Sequence, residues 1–164
     1  MIRILLVVPL TLLAGPVAAQ EVVRNPIPNS GFPIAESVAV TAGTDLVFLS
    51  GTVPGAIVAD GDRDDIATFG DTETQTDSVL GAIEAKLERA GLGMGDVVMM
   101  RAYLVADPAT RRMDFDGFMR AYTRYFGTDA QPNLPARSAL EVAGLAAPGW
   151  LVEIEVVAAR APSE

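Results

Sequence analysis

Neither cysteine nor histidine occurs anywhere in the 164 residues. The first absence excludes disulfides, a thiol nucleophile, thiolate metal sites and a lipid-carrying cysteine. The second removes the usual general base and the commonest metal ligand, and with them every Ser-His-Asp or Cys-His triad. Positive charge is scarce too: 12 Lys and Arg stand against 21 Asp and Glu, a net charge of −9. Such a surface repels phosphate, so neither nucleic acid nor anionic lipid is an expected partner. One stretch, Asp60-Gly61-Asp62-Arg63-Asp64-Asp65, suggests a Ca²⁺ loop. It lacks the glycine and terminal glutamate of EF-hand spacing, and Arg63 interrupts it. It reads as a solvated loop, and no metal is expected.

Long apolar runs are nearly as rare. The longest, Ile4 to Ala14, follows Arg3 and precedes Val17-Ala18-Ala19. A positive start, a short apolar run and small residues at a cleavage point make residues 1–19 an expected signal peptide, too short to span a bilayer. A buried N-terminal strand or a short membrane anchor is the plainer alternative. Cleavage would take the charge from −9 to −10 by removing Arg3. It would send the protein to the periplasm or the exterior, with no membrane attachment. The remainder, roughly 145 residues, suits one domain. Residues 20–33, rich in Pro, Asn and Gly, read as an extended N-terminal segment, and 34–164 as the domain.

Within that domain, Ser37–Thr41 and Leu46–Gly51 read as strands of a hairpin about Ala42-Gly43-Thr44-Asp45. Gly55–Gly70 is a polar loop. Val79, Ile83, Leu87 and Ala90 form one helical stripe, with Thr72 or Thr74 as N-cap and Gly91 as the stop. Val97–Val105, apolar on both faces, is a central strand. A second helix over Arg111–Phe126 carries Phe115, Phe118, Met119, Tyr122, Tyr125 and Phe126 on one face, a pattern that is usually core. Ala136–Val142 and Leu151–Ala159 are the last strands. The order ββαβαββ predicts an α+β domain, a mixed sheet with two helices on one face.

The chemistry-bearing residues lie in the last two strands. Side chains alternate along a strand, so Arg137, Ala139 and Glu141 share a face. Val152, Ile154, Val156 and Ala158 are a core face, and Glu153 and Glu155 point the other way. The arginine and the glutamates are expected to face away from the helices, either into solvent or into a site built against another copy of the chain. Glu141 and Glu155 are expected to pair with arginines across such an interface. Arg101, Arg120 and Arg124 belong to the surface, and Asp107-Pro108 to a turn.

Leu134-Pro135-Ala136-Arg137-Ser138, followed by Val152-Glu153-Ile154-Glu155-Val156, resembles the end of the RidA (YjgF-like) family of enamine/imine deaminases. Phe48-Leu49-Ser50-Gly51-Thr52-Val53-Pro54, Gln75-Thr76 with Leu87-Glu88-Arg89-Ala90-Gly91, Asp96-Val97-Val98 and Tyr122–Phe126 resemble further family segments in order. The resemblance covers roughly residues 33–160. It implies a chorismate-mutase-like subunit, a homotrimer with clefts between subunits, and hydrolysis of small 2-imino or enamine acids to 2-oxo acids and ammonia without a cofactor. It implies that Arg137 holds the substrate carboxylate, that Glu153 positions the attacking water, and that Ser50 and the backbone near Ala139 line the pocket. A guanidinium suits the first role because its paired N–H groups match a carboxylate and keep their charge. Two positions depart from the family pattern: Ile34 stands where a substrate-contacting tyrosine is common, and Met119 where an asparagine is common. A more apolar substrate, a weaker deaminase, or a non-catalytic trimer that binds small acids or stabilises other proteins would follow. Ribonuclease activity, reported for some members, fits poorly with the negative charge and the missing histidine.

Overall fold

A computed structural model describes residues 22–160; the expected signal peptide over residues 1–19 lies outside them. The elements are β1 (Val22–Pro26), β2 (Ala35–Val40), β3 (Asp45–Thr52), α1 (Thr72–Arg89), β4 (Val97–Val105), α2 (Phe115–Tyr122), β5 (Ala136–Val142) and β6 (Val152–Arg160). The strands form one mixed sheet in the order β1-β2-β5-β4-β6-β3. β4 and β5 run parallel, while β6 is antiparallel to both β4 and β3. Both helices pack on one face of this α+β unit, over Met100, Ala102, Leu104, Val152, Ile154 and Val156. Among the described residues no helix is long and apolar enough to cross a membrane.

Central β4 has strands on both edges; α1 and α2 cover its face of Met100, Ala102 and Leu104, while Met99, Arg101 and Tyr103 occupy the other. The α1 stripe is as its spacing predicts: Val79, Ile83 and Leu87 are fully buried, and Gly91 at φ +72° follows the helix. Its cap differs from expectation. Asp71, rather than Thr72 or Thr74, occupies the N-cap and accepts the Thr74 N–H at 2.8 Å.

Two other expectations need correction. β2 and β3 do not form a hairpin: β2 pairs with β1 and touches β5 at Ala35–Ala136, while β3 pairs with β6. The turn signal between them is local and says nothing about which partner offers the longer ladder; β6 matches β3 from Asp45 to Thr52. Within the N-terminal segment, Val22–Pro26 is an edge strand hydrogen-bonded to β2. The second helix spans Phe115–Tyr122 rather than Arg111–Phe126. Arg111 has φ +58° in a turn closed on Asp107, and Asp114 caps the helix by accepting the Gly117 N–H.

Candidate functional site

The direction of Arg137 follows from the ladder. Met100 on β4 stands opposite Arg137 on β5 and opposite Val156 on β6. Arg137 therefore shares the face of the buried Val156, toward the helices. Tyr103, also on β4, stands opposite Glu153, and Arg101 opposite Glu155, so both glutamates occupy the other face. This corrects the expectation that Arg137 and the glutamates share the helix-free face. Alternation within each strand holds, but the relative phase of β5 and β6 is set by their separate registers against β4.

On its face, half-buried Arg137 meets the aromatic row of α2. Its Cζ lies 4.2 Å from the Tyr122 ring centre, 5.1 Å from Phe118, 5.9 Å from Phe115 and 5.5 Å from Phe32. One nitrogen approaches the Met119 sulfur at 3.2 Å. No carboxylate pairs with it among the described residues. Burial pushes its pKa down, and the Tyr122 hydroxyl acts in the opposite sense. Tyr122 itself is fully buried and pushed up to about 12 by burial, with Arg137 opposing the shift. The Tyr122 hydroxyl donates to the Pro33 carbonyl at 2.9 Å, and the Ala35 N–H donates to the Pro135 carbonyl at 3.0 Å. These bonds tie the loop before β2 against α2 and the start of β5. An open cleft of about 440 Å³ at the β2–β5 edge is lined by Ile27, Ile34, Glu36, Met99, Arg137 and Ser138; Met99 and Ser138 point to the face opposite the Arg137 side chain.

Of the residues singled out in the sequence, Arg137, Met119 and Ile34 thus come together. Ala139 lies two residues along the same face of β5, packed against the core. Glu153 and Ser50 belong to the other side. The β3–β6 register shifts between Leu49 and Thr52, which makes Ser50-Gly51 a bulge. The Glu153 carboxylate lies against Gly51, in the space a Cβ there would fill. Ser50 lines a second groove, of about 320 Å³, with Phe48, Met99, Arg101, Glu155 and Val157. Glu155 accepts from Arg101 and from the Tyr103 hydroxyl, both at 2.9 Å, and Arg101 foremost holds its carboxyl below the usual range. Its arginine partner is therefore in its own chain rather than across an interface. Glu141 accepts the Met113 N–H at 2.7 Å. Arg101, Arg120 and Arg124 are solvent-exposed, as expected.

Residues 31–160 match the sequence model of the endoribonuclease L-PSP family. The chain belongs to this family, also called YjgF/RidA. It is 35% identical over 131 residues to a RutC family protein of Pyrococcus horikoshii, covering 79% of this chain and 91% of that one. A conserved Rid family protein of unknown function, YyfB from Yersinia pestis, superposes with a TM-score of 0.60 at 26% identity, covering 85% of this chain and 98% of the other. Escherichia coli TdcF, solved with bound serine, superposes with a TM-score of 0.56 at 27% identity, covering 78% and 92%. The RidA-family expectation for the fold is met by these neighbours.

The aromatic partners of Arg137 were not singled out in the sequence as site residues. The 3/4 spacing of Phe115, Phe118 and Tyr122 marked them as core, which they are. Phe32, in a loop far from them in sequence, carried no periodic signal.

Proposed function

We propose that this RidA-family protein hydrolyses small 2-imino or enamine acids, with Arg137 as the carboxylate anchor. One observation carries the reading: a half-buried guanidinium, walled by aromatic rings, has no negative partner among the described residues. Desolvating a cation without a counter-charge is costly, and an incoming carboxylate offsets that cost with paired charge-assisted bonds. Water adds to the imine carbon while a proton moves to nitrogen. The resulting aminoalcohol expels ammonia, leaving the 2-oxo acid. Glu153 is the group proposed to orient that water.

Because Glu153 and Arg137 occupy opposite faces of one sheet, the proposal places them in a site shared between copies, in a homotrimer. The face bearing Glu153 supports association: Phe48 and Leu140 project from it with 73% and 45% of their surfaces exposed. The separation also favours a second reading, a protein that binds small organic acids without turning them over. The endoribonuclease named by the family description is disfavoured by the net charge of −9. Export through a cleaved signal peptide remains part of the proposal, tested by the N-terminal mass of the mature protein.

The function is tested by generating 2-imino acids with an amino-acid oxidase and following their disappearance. Wild type is expected to accelerate it and Arg137→Ala to lose that acceleration. Equal rates for wild type and buffer would contradict the deaminase reading. Calorimetric binding of a 2-oxo acid without imine turnover would select the binding protein.

A further inference from the structure

More hydrocarbon surrounds Arg137 than a carboxylate needs. Phe32 is 41% exposed, unusual for so large an apolar side chain, and stacks on Phe115 at 6.5 Å with 17° between the ring planes. Its position is fixed. The Phe32 N–H donates to Ser30 Oγ at 3.1 Å and its carbonyl accepts the Ile34 N–H at 2.8 Å. The next carbonyl, that of Pro33, receives the Tyr122 hydroxyl. Phe115, Phe118 and Tyr122 complete the apolar wall around the guanidinium, and Ile34 follows Phe32 and Pro33 in the same loop.

We infer that this site selects acids with a bulky apolar side chain, branched or aromatic, and that Phe32 is the residue that sets this preference. The inference rests on the proposed role of Arg137 as carboxylate anchor. A carboxylate carbon held in a forked pair lies about 4 Å from the guanidinium carbon. The Phe32 ring centre lies 5.5 Å from that carbon. The substituent of a held acid therefore reaches the ring. Phe32, Phe115 and Ile34 offer a hydroxyl or amide nothing to bond, while an apolar group there leaves water. Because the loop is already held by hydrogen bonds, little ordering cost is left to binding.

The test is calorimetry with pyruvate, 4-methyl-2-oxopentanoate and phenylpyruvate on wild type, Phe32→Ala, Phe32→Leu and Arg137→Ala, each checked for folding by circular dichroism. Wild type is expected to bind the branched and aromatic acids about tenfold or more tighter than pyruvate. Phe32→Ala is expected to erase most of that ratio, and Phe32→Leu to keep part of it. Pyruvate binding as tightly as the larger acids, or a ratio that survives Phe32→Ala, would overturn the inference and leave the role of Arg137 intact. If wild type binds none of the acids, or Arg137→Ala binds them equally well, the anchor itself fails and the inference with it.

Discussion

Tyr122 and Arg137 form the polar centre of an otherwise apolar patch, and each has a measurable consequence. The neutral Tyr122 hydroxyl is favoured in the folded protein, where its pKa stands near 12 rather than 10.0. Its stabilising contribution is therefore complete below about pH 10 and is lost as pH rises toward 12, because the unfolded chain ionises first. Unfolding titrations should show stability falling by up to roughly 2–3 kcal/mol across that window. Tyr122→Phe should flatten this decline and cost about 1 kcal/mol at neutral pH through the lost bond to Pro33. An unchanged alkaline slope in Tyr122→Phe would exclude this residue as its source. Arg137→Lys should weaken acid binding by about tenfold or more in the same calorimetric assay, since a single ammonium cannot form the forked pair. Arg137 was legible as a candidate because a short, specific motif surrounds it. Its aromatic surroundings were not, because rings that pack a core and rings that wall a site share one helical spacing. Phe32 was not legible at all, since only the folded loop brings it to residue 137.

At the scale of elements, α1 is the best specified. Its buried stripe, its glycine stop and its buried Gln75 all serve one docking geometry. Gln75 donates to the Gly70 and Gly149 carbonyls and accepts the Leu151 N–H at 2.7 Å, so one side chain joins the helix start to the entry of β6. Gln75→Ala should cost about 2–4 kcal/mol, because buried backbone groups lose their partner. Chemical denaturation measures it, and a cost below about 0.5 kcal/mol would show that water or rearrangement replaces the side chain. Asp71→Ala should cost about 1 kcal/mol through the lost N-cap. Strand existence, and alternation within strands, could be read from the apolar pattern of β4, β5 and β6. Partner choice and relative phase could not. The turn at Ala42–Asp45 suggested a local hairpin, yet β3 completes its ladder on β6, more than a hundred residues away in sequence. The same limit hides the face of Arg137, since nothing within β5 or β6 records how each is registered on β4.

For the molecule as a whole, the two sides of the sheet differ in kind. One is covered by α1 and α2 and holds the Arg137 side chain among the rings of α2. The other presents Phe48 and Leu140 to solvent beside Arg101, Glu155 and Glu153. Light scattering should report a mass near three chains, and Phe48→Asp should shift it toward one by placing a charge in an apolar contact. A wild-type monomer would leave Glu153 with no route to an acid held at Arg137 and would favour binding over hydrolysis. The central claim, that Arg137 anchors an organic acid, is tested most directly by a crystal structure with bound 4-methyl-2-oxopentanoate. The carboxylate oxygens are predicted within about 3 Å of the Arg137 nitrogens, with the branched chain against Phe32. A ligand bound elsewhere while the guanidinium contacts only water would contradict the account.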